Sequence, residues 1–384
     1  MNVEAQTSTI NSMSEVPASA WNALVGDSDP FSRHEFLLAL EQSESVGPET
    51  GWVPFHLLIH RSGKLVAAVP LYLKNHSYGE YIFDWSWANA ALQNGIPYYP
   101  KLVSAIPFTP ATGCRILTGS EGASSALISQ VCDALLSLAK KLNAQSFHLL
   151  FVTPEERVAW QTVESVVTRT THQYHWHNPG VNSFDEWLST FRARRRKDVI
   201  RERRNVEKLG VEISVVKGTA LSEPQWEALE FNYRRTVHQK GGAAYLTPHF
   251  FQILRTSLAS MVLAFIAHKD GVPVASSLCF QQGTHLYGRY WGCDEGYRAL
   301  HFELCYHKPI EYCIQMGWRR FEAGAQGLHK IQRGLLPAAT HSVHWIAHTG
   351  LHRAIEGAVS HDNEAELSTI ETLRHRGPFH RGST

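Results

Sequence analysis

One order of elements, read twice along the chain, limits what these 384 residues can fold into. In the first half the spacing predicts helices over 18–25 and 32–43, the second with Ser32 as N-cap and Glu35 at the capping-box position. Apolar runs over 53–60 and 65–73 flank Arg61-Ser62-Gly63-Lys64 and predict a β-hairpin. A third strand over 78–85, a helix over 124–142 and strands over 146–152 and 170–177 follow. In the second half a strand over 211–216 leads to helices over 223–238 and 247–258, the latter with Pro248 at its first position. Runs over 261–268 and 272–281 flank Lys269-Asp270-Gly271, a strong hairpin signal. A strand over 285–291, a helix over 300–316 and a strand over 318–323 complete the repetition. The period is too long for a solenoid, so the natural reading is a tandem α/β (α+β) duplication.

Between the halves, residues 183–209 read as one long helix, with Phe184, Trp187, Leu188 and Phe191 on one side and an arginine-rich run beyond them. From Arg192 to Lys208 there are nine basic and three acidic residues, against 27 basic and 32 acidic in the rest of the chain. A mildly acidic body with one basic rod suits an anionic partner, met at Arg194, Arg195 and Arg196. A solvated helix face with ion pairs such as Arg201/Glu202 is the alternative. The expected organisation is a disordered tail over 1–13, a first domain over 14–180, a basic connecting helix over 181–210 and a second domain over 211–353. A helical tail over 354–384 frays at its end.

A composition of 43 % hydrophobic and 18 % charged residues is that of a soluble globular protein. Six cysteines without a CxxC pair argue against a zinc ribbon, a thioredoxin-like site and a secreted disulfide framework. Residues 1–13 lack the basic and apolar regions of a signal peptide, and no apolar run approaches the ~20 residues of a membrane span. Cytoplasm is the expected location. His341, His344, His348 and His352 have metal-ligand spacing on a predicted helix, but Gly350 interrupts them and no carboxylate or Cys joins them, so no metal site is expected.

Chemistry-bearing residues concentrate in 287–334. In Tyr287-Gly-Arg-Tyr-Trp-Gly292, strand alternation puts Tyr287, Arg289 and Trp291 on one face and Leu286, Gly288 and Tyr290 on the other. Arg289 between two aromatics suits a carboxylate or phosphate clamp, or a structural cation–π pair. On the helix over 300–316, His301, Cys305 and Lys308 share one face while Glu303 and His307 share another, so His301 and Glu303 form no dyad. Glu303 reads either as an ion-pair partner of His307 or as a general base for an amine. Pro309 frees the Cys305 carbonyl and predicts a kink. Gly324-Ala-Gln-Gly327 allows close backbone approach, so Gln326 or nearby N–H groups can meet a substrate carbonyl, and Lys330 and Arg333 suit a phosphate or carboxylate. Neither a Walker A motif nor a G-x-G-x-x-G after a strand is present.

Several of these stretches carry a resemblance. Tyr98-Tyr-Pro-Lys-Leu102, Pro107-Phe-Thr-Pro110, His175-Trp-His-Asn178, the arginine-rich helix, Tyr287–Gly292, Leu300-His-Phe-Glu303, Gly324–Gly327 and Lys330 with Arg333-Gly334 together resemble the FemAB-like peptidoglycan biosynthesis/recognition family of predicted N-acyltransferases. The resemblance runs from about residue 14 to 360 and implies two tandem GNAT-like (acyl-CoA N-acyltransferase-like) domains with the basic helix between them. It also implies transfer of an acyl group from a thioester, or of an aminoacyl group from aminoacyl-tRNA, to a primary amine such as that of a peptidoglycan precursor. The acetyl-CoA loop of that fold, Arg/Gln-x-x-Gly-x-Gly/Ala, is replaced here by Gly292-Cys-Asp-Glu-Gly-Tyr-Arg-Ala299. Asp294 and Glu295 oppose a pyrophosphate there and only Arg298 favours it; the stretch over 87–98 offers no such loop in the first half.

On this resemblance Glu303 is the expected base, Tyr287 or Tyr290 the proton donor, and N–H groups near Gly292 or Gly324 the oxyanion donors. Arg289, Trp291, His301, Gln326, Lys330 and Arg333 would bind substrate, and Tyr98, Tyr99, Lys101 and Thr109 would line the acceptor cleft. The co-substrate is acyl-CoA or aminoacyl-tRNA, with no permanently bound cofactor, and a tRNA would meet the basic helix with strong salt dependence. The competing reading, favoured by the missing CoA loop, is a non-catalytic module that binds a cell-wall precursor or RNA.

Overall fold

The computed structural model describes residues 6–26, 29–325 and 327–380. The chain divides into two units, 1–172 with 339–368, and 173–338 with 369–384. Each carries a hairpin, a strand, a crossover helix and a parallel strand in that order, which is the tandem duplication expected from the repeated pattern and the GNAT-like arrangement implied by the resemblance.

In the first unit the hairpin arms His56–Arg61 and Lys64–Val69 meet at a turn with positive φ at both Ser62 and Gly63, which matches strand twist. Trp52–Pro54, Tyr72–Lys74, Lys101–Ser104, Ser146–Val152 and Leu336–Ile346 form the main sheet in that order. Lys101–Ser104 and Ser146–Val152 are parallel, which requires a crossover, supplied by the helix Ser125–Lys141. That helix buries Leu127, Ile128, Val131, Leu135 and Leu138 at helical spacing, and Ser124 caps it through the Leu127 N–H.

Three local expectations change here. Gln6–Ile10, placed in a disordered tail by sequence, is a strand paired with His56–His60. The second helix starts at His34, because the Ser32 hydroxyl donates to Asp29 Oδ2 at 2.6 Å instead of capping. Residues 78–85 form no strand, since Ser77, Glu80 and Asp84 turn inward to buried lysines and a helix, Trp85–Gln93, begins directly after. The strand in that place is Lys101–Ser104, so the segment leading into the crossover helix is 105–124 and not 87–98.

In the second unit the sheet order is Val167–His177, Arg320–Glu322, His285–Cys293, Val272–Gln282, Val262–Lys269 and Glu212–Lys217. One face packs Phe265, Cys279, Leu286 and Phe321 against Leu300, Leu304 and Ile310. The other meets the helix Glu223–Gln239, whose Asn232 donates to Ser276 Oγ at 2.8 Å.

The predicted helix over 183–209 is two helices, Phe184–Ser189 and Ala193–Glu207. The chain turns between them to bury Phe191 against Trp187 and Phe379. The predicted helix over 300–316 holds a π turn at Glu303–His307 directly before Lys308–Gln315; this wider turn, just ahead of Pro309, stands where a kink was expected. His341 and His344 lie in the strand Leu336–Ile346, not on a helix, and only His352 joins the helix Thr349–His375. That helix starts ahead of the expected tail over 354–384, with its first part in the first unit. Among the described residues, no group of three or more His, Cys, Asp or Glu side chains is placed to hold a metal, and no helix is long and apolar enough to cross a membrane.

Candidate functional site

The strand His285–Cys293 is antiparallel to Val272–Gln282, and its register slips once. Cys279 faces Gly288 and Leu278 faces Tyr290, so Arg289 is an extra, bulged residue. A one-residue bulge inverts the alternation beyond it. Tyr287 and Tyr290 therefore share one face with their cross-strand partners Phe280 and Leu278, while Trp291 joins Leu286 on the other. This corrects the expected trio of Tyr287, Arg289 and Trp291 on one face. Tyr290 packs on Tyr233 of the helix Glu223–Gln239, with ring centres 4.6 Å apart.

On its other edge the strand runs parallel to Arg320–Glu322, and the last pair is Tyr287 with Glu322. Past that pair no further pairing between the two strands is formed among the described residues. Residues 288–293 thus present a strand edge toward a gap, with Gly324 across from the Gly288 carbonyl.

Charged groups collect at this opening. Lys330 is 2 % exposed, and its Nζ donates to the Gly324 carbonyl at 2.8 Å. Burial pushes its ammonium down to about 7, and the charge of Arg289 adds to the effect. The Arg289 guanidinium lies 5.7 Å from the centre of the buried Tyr287 ring. Glu322 is 1 % exposed, with Arg320 Nη2 at 3.0 Å and His175 Nε2 at 3.8 Å. Burial, reinforced by Arg320, holds His175 neutral well below its ordinary range. Glu322 and Tyr287 are register partners and share a sheet face.

Glu303 lies elsewhere. Its helix packs on the opposite face of the sheet, and its Oε1 is 3.1 Å from Arg203 Nη2, which also holds Glu311 at 3.0 Å. Its Oε2 is buried without a hydrogen-bond partner. The alternative pairing with His307 does not form either, because His307 Nε2 donates to Glu202 Oε2 at 3.0 Å. Glu303 and the two tyrosines thus belong to opposite sides of the strand. Arg333 is committed as well. It donates through Nη2 and Nε to Glu202 and through Nη1 to the His329 carbonyl at 2.7 Å, with its guanidinium 3.3 Å over Phe302. Glu202 and Arg203 of the basic helix are therefore spent inside the unit. Arg194 is exposed, Arg195 is 3.4 Å from Asp198, and Arg196 is half-buried.

Beside the loop after the strand is a cavity of about 260 Å³, lined by Trp291, His301, Asp294 and Arg298 and by Arg235 and Lys240. Arg235 neutralises Asp294, leaving Lys240 and Arg298 against Glu295 in the lining, so the pocket is less hostile to a phosphate than its loop sequence. His301 lies 5.0 Å from Trp291, and burial together with His329 lowers it to about 4, keeping it neutral.

In the first unit Lys101 is fully buried and donates to Ser77 Oγ at 2.8 Å, Glu80 Oε2 at 3.0 Å and Asp84 Oδ2 at 2.5 Å. Tyr98 donates to Asp84 at 2.6 Å, Tyr99 bonds Ser77 at 2.9 Å, and the Thr109 hydroxyl goes to the Pro107 carbonyl. Lys74 joins through Glu80 at 3.3 Å, and its ammonium stands 3.5 Å over the Trp52 ring. Burial lowers Lys74 to about 7 against the pull of Glu80. Burial would raise Asp84, but Lys101 and His148 outweigh it and hold the carboxyl low. The lysine, both carboxylates and the tyrosines thus form one pinned network rather than an open cleft lining.

Gln326 lies outside the described residues. Sequence reading missed Glu322, Lys74, Glu80, Asp84, Arg235 and Lys240. For Glu322 a signal existed, because Arg320 and Glu322 alternate with Phe321 inside a strand. The others are recognisable only from their neighbours in space.

The fold is that of several solved structures. FemX aligns over 91 % of this chain and 100 % of its own, with a TM-score of 0.54 at 11 % identity. A conserved Bacteroides thetaiotaomicron protein aligns over 89 % of this chain and 100 % of its own, with a TM-score of 0.54 at 11 % identity. L-PGS from Bacillus licheniformis aligns over 87 % of this chain and 97 % of its own, with a TM-score of 0.51 at 9 % identity. No curated protein matches the sequence. The family model described as FemAB-like, peptidoglycan biosynthesis/recognition, matches residues 12–381. A match of that extent, on the fold that FemX shares, places the chain in the FemAB-like peptidoglycan biosynthesis/recognition family.

Proposed function

We propose that this protein is an N-acyltransferase or aminoacyltransferase that moves an acyl group from a thioester or aminoacyl-tRNA donor to a primary amine, with a peptidoglycan precursor as the acceptor class. The observation that carries the reading is the opening between His285–Cys293 and Arg320–Glu322, with Arg289, Lys330, Tyr287 and Glu322 around it. Transfer needs a free amine held against the donor carbonyl, positive charge where the oxyanion develops, and a proton for the leaving group. Lys330 and Arg289 supply the charge. Glu322 takes the proton from the attacking amine, and Tyr287 on the same face returns one to the departing thiolate or ribose alkoxide. The N–C bond forms as the C–S or ester C–O bond breaks. The strand edge over 288–293 offers backbone groups to a donor's amide-bearing arm, and the neighbouring cavity with Arg235, Lys240 and Arg298 suits its phosphates. Both donor types are cytoplasmic, and there we place the reaction.

Full-length protein incubated with labelled acyl-CoA, or with charged tRNA, and amine-bearing wall-precursor peptides should form an amide product. Lys330→Met, Arg289→Ala and Glu322→Gln should each lower the rate about 100-fold or more, while Glu303→Gln leaves it within about threefold. Stoichiometric binding without product in every pairing would instead favour the non-catalytic module.

A further inference from the structure

The loop over 75–84 of the first unit is polar inside and aromatic outside. Ser77, Glu80 and Asp84 point to Lys74 and Lys101 and are buried. Tyr78, Phe83 and Trp85 are 59 %, 36 % and 37 % exposed. Trp85 meets Tyr78 at 5.0 Å and lies 22° from parallel with Phe83 at 6.0 Å, and Tyr81 follows Phe83 at 6.2 Å. Tyr81 holds φ at 64°, and Arg169 donates to the Phe83 carbonyl at 2.9 Å. The backbone is thus fixed from beneath, and the rings are held in place before any ligand arrives. Exposed aromatic surface grouped in this way costs hydration free energy and marks an interaction site. Preorganisation lowers the entropy lost on binding.

The surroundings select the ligand. Between residues 75 and 99 the only charged side chains are Glu80 and Asp84, and both are buried. The outward polar groups near the rings are Asn75, Ser86 and Asn89. A nucleic acid or an anionic lipid surface is met with clustered cations; this segment presents none of its own, and Arg169 beside it is engaged with the Phe83 carbonyl and stands over the Trp87 ring. Flat aromatic faces with neutral amides and hydroxyls match a ring that has apolar C–H faces and a hydroxyl rim.

We infer that the loop and the start of the helix Trp85–Gln93 form a binding platform for a neutral pyranose glycan, with Trp85, Tyr78 and Phe83 as its stacking faces. The platform belongs to the first unit and stands or falls independently of the transfer reaction.

Calorimetry and saturation-transfer NMR on the full chain with chitotetraose and cellotetraose test this. Saturable binding of at least one oligosaccharide is expected, weakened about tenfold or more by Trp85→Ala and by Tyr78→Ala. Trp85→Phe, which keeps a ring, should stay within about threefold, and Val272→Ala, at an exposed position of the second unit, should change nothing. Tyr78 is the most exposed of the three rings, so Tyr78→Ala should keep the thermal midpoint and reads binding free of folding. Absence of saturation up to about 10 mM, or full binding by the folded Tyr78→Ala and Trp85→Phe variants alongside unchanged Trp85→Ala, overturns the inference. So does binding to phosphatidylcholine vesicles through these rings with no response to either sugar.

Discussion

The imidazoles of His148 and His344 meet Nδ1 to Nδ1 at 2.7 Å, directly opposite each other on neighbouring strands. Their outer nitrogens contact the Ser146 and Ser342 hydroxyls at 2.8 Å. One proton serves the shared bond, so one ring donates to the other and both are neutral. Burial lowers His148 to about 3 and His344 well below its ordinary range, and His301 and His341 fall to about 4. The unfolded chain takes up these protons below about pH 6.5 and the folded chain does not. Stability is therefore full above that pH and is lost as pH falls toward 3–4, at about 1.4 kcal/mol per pH unit for each such histidine. Urea unfolding at pH 7.5, 6 and 5 should show the loss, and His344→Phe should make the slope shallower. An unchanged slope would mean that the pair does not set the acid sensitivity.

Lys330 is a buried cation whose polar contact is a backbone carbonyl. With a folded value of about 7 against about 10.5 unfolded, it costs stability below pH 10.5. Lys330→Met should raise the midpoint of unfolding at pH 7, by about 1–3 kcal/mol in free energy. Transfer should be lost in the same variant. A destabilised, inactive protein would instead make Lys330 structural.

Arg333 and Glu202 tie the segment after Gly324 to the basic helix. Arg333→Met should cost about 1–3 kcal/mol, below the range for a fully buried pair because Glu202 is 27 % exposed. Denaturant titration reads this directly. Substrate affinity measured at a temperature where the variant is folded should stay unchanged, since the guanidinium is already filled.

The outer arginines of the helix Ala193–Glu207 test the tRNA donor. If they meet phosphates, changing Arg194, Arg195 and Arg196 to Ala should lower the salt slope of RNA binding by about 0.7–0.9 for each phosphate no longer neutralised. Arg195 is partly used by Asp198, so the change should fall short of that for three free arginines. Identical slopes would leave the rod structural.

Gly292 is required by packing rather than by chemistry. A Cβ there would lie 2.4 Å from the Asn232 carbonyl in the helix Glu223–Gln239. Gly292→Ala should push helix from sheet and destabilise by about 1–3 kcal/mol, read as a lower thermal midpoint.

Hydrophobic period and turn chemistry carried much of the architecture. Both hairpins, the helix Ser125–Lys141 and the strands Ser146–Val152 and Val262–Lys269 follow from local spacing, because periods of 2 and 3.6 and turns such as Asp270-Gly271 are written in consecutive residues. Arg289 and Lys330 stand out in the sequence too, as polar groups in otherwise apolar surroundings.

Facing is not legible there. One slipped register pair at Arg289 put Tyr290 on the face of Tyr287 and Trp291 on the other, and a bulge depends on the partner strand as much as on its own residues. Likewise 78–85 alternates like a strand, yet the loop is set by Lys74 and Lys101, whose buried charges must find Glu80 and Asp84. The sequence alone determined the family, the duplicated order of elements and the region of the candidate site. Only the tertiary structure decided which charges neutralise one another and on which face of the sheet each lies, because those energies depend on distance and burial between residues far apart in the chain.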